Sequence, residues 1–167
     1  GLANLSDGIF IFNAPADIGS AGASVQDVPR HMAAMGGKVF LVSVTGEDSR
    51  RKELISALRD HGIEAEGLIV DESRPTIMKT RVVAQNQQLI RIDHEKTHFI
   101  SAEIEGKILT YITEAIKEAD ALVISDYGKG VVTKSLVRQV FALAKGHGKK
   151  VIVDPKQTDP EYYMGSF

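Results

Sequence analysis

Two apolar segments in the last third of the chain each end in a carboxylate with a lysine close behind it. The first leads into Asp126 and Lys129, and the second leads into Asp154 and Lys156. Both segments are short, apolar and rich in β-branched residues, which is typical of buried strands. Because the carboxyl ends of neighbouring parallel strands open into one crevice, we expect the two lysines to face the same anionic ligand.

The turn around Lys129 has the composition of an anion-binding loop. Gly128 and Gly130 flank the lysine just before a segment of helical periodicity. Glycines let a backbone approach a ligand closely, and the first turn of a helix offers unpaired N–H groups with partial positive charge. In the second turn, Pro155 stiffens the approach to Lys156. The alternative is that both turns are surface connections whose lysines point into water.

The longest β signal of the chain, at 76–94, predicts a hairpin of two strands around the polar residues 85–87. Strict alternation divides the second strand into two faces, one with Leu89, Arg91 and Asp93 and the other with Gln88, Ile90 and Ile92. We expect the hairpin to form a lid over the crevice, where Arg91 would clamp a phosphate or a sugar hydroxyl and the lid would shut out water. In the alternative interpretation, Arg91 and Asp93 form cross-strand ion pairs with Lys79 or Arg81.

The remaining apolar patterns predict strands that alternate with helices. Short β-type runs lie at 38–44, 68–70, 121–124 and 151–153. Helical spacing links Leu54, Ile55 and Leu58, then Ile104, Ile108, Leu109, Ile112 and Ile116, and then Val137, Val140, Phe141 and Ala144. This order predicts one domain over 1–167 of the α/β class, with a mostly parallel sheet flanked by helices and a small β-hairpin lid.

The composition excludes several classes of partner. The 167 residues are 43% hydrophobic and 25% charged, and a net charge of -2 is spread along the chain without a basic stripe. We therefore expect no nucleic-acid partner. No apolar run approaches the roughly 20 residues that cross a bilayer, and the first residues lack the pattern of a signal peptide. These features predict a cytoplasmic protein without a membrane partner.

The usual catalytic and metal-binding motifs are missing from the sequence. The chain has no cysteine, and its five histidines are scattered, with only His94 and His98 four positions apart. We expect no metal site among them. Neither a P-loop nor a dinucleotide-binding glycine fingerprint occurs. The neighbouring lysines of Asp126 and Asp154 favour ionised carboxylates, which argues against a pair of glycosidase acids.

Five segments together resemble the ribokinase-like (PfkB) sugar kinases, and most closely the heptose 7-phosphate kinase domain of bacterial bifunctional ADP-heptose synthesis proteins. The segments are 45–48, 74–82, 86–93, 125–130 and 153–156. The resemblance extends over about 33–167, includes the hairpin at 76–94, and implies that 1–167 are part of a ribokinase-like kinase domain. Residues 1–22 match nothing in the family, although its first strand and part of its lid should lie there.

The resemblance implies ATP-dependent phosphorylation of the anomeric hydroxyl of D-glycero-D-manno-heptose 7-phosphate, on the way to the ADP-heptose of the lipopolysaccharide core. It implies ATP and Mg²⁺ as cofactors of the complete protein, a phosphorylated sugar as the ligand, and a homodimer formed through the lid. The substrate-binding residues would be Asp27, Arg91, Asp126, Lys129 and Lys156.

The sequence departs from the family at two places. Where such kinases carry Gly-Gly-Ala-x-Asn, this chain has residues 23–27, although Asp27 can still accept hydrogen bonds from hydroxyls. The chain also contains neither the Asn-x-x-Glu segment associated with Mg²⁺ nor the Gly-Ala-Gly-Asp turn that supplies the catalytic base. We therefore expect no catalytic residue in these 167 residues and no turnover by them alone. Two alternatives remain, namely another PfkB-family sugar or nucleoside kinase and a non-catalytic relative that binds sugar phosphates.

Overall fold

The computed structural model describes residues 2–3, 8–12, 38–85, 87–156 and 160–163. Asp27 and its neighbours lie outside these residues. The elements follow one another as β1 (Leu2–Ala3), β2 (Gly8–Phe12), β3 (Val39–Thr45), α1 (Ser49–Arg59), β4 (Leu68–Val70), β5 (Met78–Ala84), β6 (Gln87–His94), α2 (Ala102–Ala115), β7 (Ala121–Ser125), α3 (Lys134–Gly146) and β8 (Lys150–Asp154). Short 3-10 turns cover Ile116–Glu118 and Pro160–Tyr163.

Five strands form the central sheet in the order β4-β3-β2-β7-β8. The pairs β3–β4 and β7–β8 are parallel, while β2 runs antiparallel to both β3 and β7. The expected strands at 38–44, 68–70, 121–124 and 151–153 are therefore confirmed to within one or two residues. The central position of β2 could not be predicted, because Gly8–Phe12 lies in the part of the chain that matched no family pattern.

Helices cover both faces of this sheet. Alternate residues of β3 point to opposite sides, so Val42 packs into a core with α2 and α3 while Leu41 packs into a second core with Leu54 of α1. Most of the apolar positions expected for α2 and α3 are buried, including Ile108, Ile112 and Val140, which have no exposed surface, while Leu109 is partly buried. Within the described residues, no helix is long and apolar enough to span a membrane.

A second, three-stranded sheet has the order β1-β5-β6 and contains the hairpin that was expected to form a lid, and this sheet is called the lid below. The hairpin of β5 and β6 confirms the prediction at 76–94, and Gln85 makes its turn with a φ of 48°. The register shifts between Val82 and Val83, because Val82 lies opposite Ile90 and Val83 lies opposite Gln88. Leu89 is therefore an unpaired bulge residue, and the strict alternation predicted for this strand is wrong at that point.

Candidate functional site

The carboxyl ends of the parallel strands meet at one edge of the central sheet. Since β3 and β7 both run antiparallel to β2, they run parallel to each other, and Thr45, Val70, Ser125 and Asp154 all end strands at this edge. The lid begins and ends here as well. A hydrogen bond of 3.1 Å from the backbone N–H of Gly46 to Thr76 Oγ1 ties the start of β5 to the end of β3.

Asp126 organises the loop that follows β7. Its carboxylate is almost fully buried, and Oδ1 accepts the N–H of Gly128 at 2.7 Å while Oδ2 accepts the hydroxyl of Tyr163 at 2.6 Å. Both oxygens thus already accept hydrogen bonds from the protein, and this carboxylate fixes the conformation of the loop that carries Lys129. The predicted contact between Asp126 and a substrate stays a prediction.

The two glycines beside Lys129 serve different purposes. Gly128 and Gly130 both have positive φ, at 70° and 83°. A Cβ on Gly130 would lie 2.1 Å from the carbonyl oxygen of His98, so this glycine permits contact with another loop of the protein. The expected helix does not begin directly after it, because the N-cap of α3 is Thr133, whose hydroxyl accepts the N–H of Leu136 at 3.0 Å. The prediction of an open helix N-terminus next to Lys129 is therefore wrong.

Lys129 forms an ion pair with Glu95, the residue that follows the last strand of the lid. Lys129 Nζ donates to Glu95 Oε1, and only 18% and 16% of the two side chains are exposed. Glu95 was not among the site residues expected from the sequence. Its position directly after β6 could have indicated a site residue, because residues at strand ends commonly line a crevice.

Lys156 lies beside the loop of Lys129. A Cβ on Gly128 would come within 3.4 Å of Lys156 Cγ, so the aliphatic part of Lys156 runs past the glycine, and the residue as a whole is exposed. The structure thus brings the two lysine-bearing loops together at one edge of the sheet. That both ammonium groups hold one anion stays a prediction.

Arg91 lies on the lid and forms an ion pair within its own strand. Its Nε donates to Asp93 Oδ1 at 2.9 Å, and 52% of its side chain is exposed. This ion pair lies within β6. It is not the cross-strand pair of the alternative interpretation, in which Asp93 would pair with Lys79 opposite it in the register. The predicted clamp by Arg91 on a ligand stays a prediction.

Arg74 is a buried cation that was not among the site residues expected from the sequence. Its guanidinium bonds Asp71 Oδ2 at 2.8 Å, the carbonyl of Lys129 at 3.2 Å and the carbonyl of His98 at 2.7 Å. It therefore joins the loop after β4, the segment after the lid and the loop after β7. Burial alone would raise the pKa of Asp71, but hydrogen bonds from Ser73 and the charge and hydrogen bond of Arg74 outweigh burial and hold that pKa below its ordinary value.

The resemblance implies Mg²⁺ as a cofactor, and the described residues contain no cluster of side chains that could serve as its ligands. Across residues 2–3, 8–12, 38–85, 87–156 and 160–163, no three His, Cys, Asp or Glu side chains gather in an arrangement that could hold a metal ion. No such cluster marks a Mg²⁺ site among the described residues, and we assign them no step that passes through the metal.

In the central sheet, four of the five strands run in the same direction, and the segment after the small sheet contacts the lysine loop through Glu95 and Lys129. This is the architecture of the ribokinase-like fold. Comparison with known sequences agrees with this class. The model of the pfkB family carbohydrate kinases matches residues 28–164, and the chain belongs to this family.

Individual relatives extend the comparison. The chain is 40% identical over 137 residues to the "Bifunctional protein HldE" of Helicobacter pylori strain 26695, which covers 82% of this chain and 30% of that protein. The protein of the same name from Wolinella succinogenes is 38% identical over 140 residues, with 84% and 30% covered. The chain thus spans 30% of the length of these curated relatives.

Solved structures share the fold. A PfkB protein from Polaromonas sp. JS666 superposes with a TM-score of 0.57 at 19% identity, over 90% of this chain and 54% of that one. The protein Sa239 superposes with a TM-score of 0.60 at 14% identity, over 93% and 55%. The expected ribokinase-like fold is confirmed.

Proposed function

We propose that this chain belongs to an ATP-dependent sugar kinase that phosphorylates the anomeric hydroxyl of D-glycero-D-manno-heptose 7-phosphate, in the synthesis of ADP-heptose for lipopolysaccharide. Membership of a carbohydrate kinase family and the similarity to proteins named HldE support this substrate. The observation that carries the proposal is the pair of neighbouring loops with Lys129 and Lys156 at the carboxyl edge of the sheet. A phosphorylated sugar needs such cations near groups that bind hydroxyls.

Each site residue has a distinct part in this proposal. Lys129 and Lys156 bind the 7-phosphate as point charges. Asp126 holds the lysine loop in shape through Gly128, and Arg91 closes over the sugar from the lid. Asp27, which lies outside the described residues, accepts hydrogen bonds from sugar hydroxyls. These groups bind and orient the substrate, and the lid excludes water from it.

The phosphate donor and the metal belong to the complete protein. ATP supplies the transferred phosphoryl group, and Mg²⁺ offsets its charge when bound. The printed sequence has no Gly-Ala-Gly-Asp turn and no Asn-x-x-Glu segment. We therefore propose that these 167 residues bind the sugar phosphate without transferring a phosphoryl group to it, because positioning alone provides no base for the attacking hydroxyl.

The test is sugar-dependent ATP consumption by the complete protein. Heptose 7-phosphate should be the best substrate in a panel with ribose, fructose 6-phosphate and adenosine. A better rate with one of the other compounds would identify another kinase of the family, and binding without turnover would identify a non-catalytic relative. Lys129→Ala and Lys156→Ala should each raise KM for the sugar phosphate. Lys145→Ala, which removes an exposed lysine from the last turn of α3, is the matched control.

A further inference from the structure

The ion pair of Glu95 and Lys129 leaves one oxygen of the carboxylate unused. Lys129 Nζ donates to Oε1, while Oε2 is buried and has no hydrogen-bond partner in the part of the chain that the structure describes. A buried carboxylate oxygen without a donor is unfavourable, because burial removes it from bulk solvent. Within the described residues, Lys129 is the one partner of this carboxylate.

The backbones on either side of this pair are fixed independently of it. Arg74 bonds the carbonyls of Lys129 and His98 with one guanidinium. The N–H of Ile100 donates to the carbonyl of Gly130 at 3.0 Å, and Gly130 packs directly on His98. The two segments thus stay together when the side chains change partners. A ligand can replace Glu95 on Lys129 without separating the loops.

We propose that Glu95 acts as an internal counter-ion of Lys129 and thereby sets how strongly an anion must bind to occupy this site, so that a phosphate group displaces Glu95 and a weaker anion or a neutral hydroxyl does not. This inference rests on the proposed function, since it explains how a sugar phosphate is distinguished from the free sugar. A phosphate ester carries about -1.5 to -2 charges and three acceptor oxygens near neutral pH. A monocarboxylate has only the charge that Glu95 already offers, and a hydroxyl has none.

The position of Glu95 also connects this exchange to the lid. Glu95 directly follows His94, the last residue of β6, so its carboxylate moves with the base of the lid. With Glu95 in place, the charges of Lys129, Lys156 and Glu95 sum to a single positive charge. Replacing the carboxylate by an amide removes one negative charge from a largely buried location, and every anion then binds more tightly. Anions that are too weak to displace Glu95 then bind at concentrations that leave the unaltered site empty, because the competitor is gone.

The experiment measures binding of two probes, inorganic phosphate and acetate, to the complete protein and to its Glu95→Gln variant. Amide shifts of Lys129 and Gly130 in heteronuclear NMR spectra report the occupied site. In the unaltered chain, phosphate should bind and acetate should bind at least about tenfold more weakly, as expected for one charge of difference. In Glu95→Gln, phosphate should bind about tenfold tighter, and acetate, with its smaller charge, should also bind more tightly but gain no more than phosphate, so that acetate fills the site at concentrations that leave the unaltered site empty.

Three further variants make the result decisive. Glu103→Gln removes a carboxylate from an exposed pair with Lys107 on α2 and should change neither affinity. Lys129→Ala combined with Glu95→Gln should abolish the gain, because the gain acts through that lysine. Glu95→Asp retains the charge but shortens the side chain, and it should bind both probes with affinities between those of the other two forms. Glu95→Asp replaces Glu95→Gln in the test if the amide spectrum of Glu95→Gln shows an unfolded chain.

Unchanged affinities in Glu95→Gln, or a gain that persists without Lys129, would overturn the inference. A complete protein without kinase activity on heptose 7-phosphate would instead reject the proposed function. The two failures are distinguishable, because binding of phosphate and acetate requires no turnover.

Discussion

The guanidinium of Arg74 donates a hydrogen bond of 3.2 Å to the backbone carbonyl of Lys129, although the two residues are 55 positions apart in the chain. This bond places the lysine loop relative to the sheet edge. Only 3% of the Arg74 side chain is exposed, and Asp71 is its charge partner at 2.8 Å. Arg74 thus supports the site through the backbone, and Glu95 pairs with the lysine side chain.

Loss of this buried cation should strongly destabilise the fold. We expect Arg74→Ala to lower the free energy of unfolding by about 3–5 kcal/mol, because Asp71 would keep a buried charge without compensation. Urea denaturation followed by circular dichroism measures this. Arg50→Ala is the control, since Arg50 also pairs with an acid three positions away, Glu53, but on an exposed surface. Its cost should be at most about 1 kcal/mol, and equal costs for both variants would contradict the assigned role of Arg74.

Gly130 should tolerate no side chain. Its φ of 83° disfavours other residues, and an added Cβ would lie 2.1 Å from the carbonyl oxygen of His98. Gly62 has a similar φ of 69° and nothing within 4 Å of an added Cβ. Gly62→Ala should therefore cost about 1–2 kcal/mol for the backbone conformation alone, and Gly130→Ala should cost more by at least about 1 kcal/mol. Unfolding midpoints in urea give the comparison, and a smaller cost at position 130 would contradict the observed contact.

Acid should weaken the junction between α1 and the lid. Burial alone would raise the pKa of Asp48, but the backbone N–H groups of Thr76 and Arg51 outweigh burial and lower the pKa from its ordinary value of 3.8. Because the unfolded chain binds the proton more readily, this stabilisation is present above about pH 4 and is lost as the pH falls through the depressed value.

The variant Asp48→Asn isolates this effect. Asparagine does not titrate, but its single oxygen can accept the N–H of Arg51 or that of Thr76 and not both. The variant should therefore be less stable near neutral pH and should lose stability less steeply on acidification. The measurement is the free energy of unfolding in urea at a series of pH values down to about pH 2. An unchanged dependence on pH in the variant would exclude Asp48 as a contributor.

The lid carries an exposed apolar surface that a second copy of the chain should cover. Val82, Ile90 and Ile92 are 41%, 53% and 54% exposed, and Val82 lies opposite Ile90 in the register. Burying such a surface favours association. We therefore expect a homodimer through the lid, and Ile92→Glu should convert it to a monomer in sedimentation velocity experiments. Ile152→Glu, which changes an equally exposed apolar residue outside the lid, should leave the dimer intact. A monomeric unaltered protein would reject this prediction.

The elements of the fold were largely predictable because their signals are local. Apolar residues spaced by three and four along α2 and α3 identified helices whose positions Ile108 and Val140 are fully buried. Alternation and a polar turn identified the hairpin. The bulge at Leu89 left no such signal, because a register shift depends on how two strands meet and not on the composition of either one.

The site was predicted in outline only. The sequence alone determined that two strands end in carboxylates with lysines behind them and that the pattern resembles the pfkB carbohydrate kinases. Tertiary structure decided the partners of those side chains. The ion pair of Lys129 with Glu95 spans 34 positions. This ion pair depends on the order of the strands in two sheets and on the loop that bends at Gly128 and Gly130. The local periodicity of the chain encodes neither the strand order nor the path of that loop.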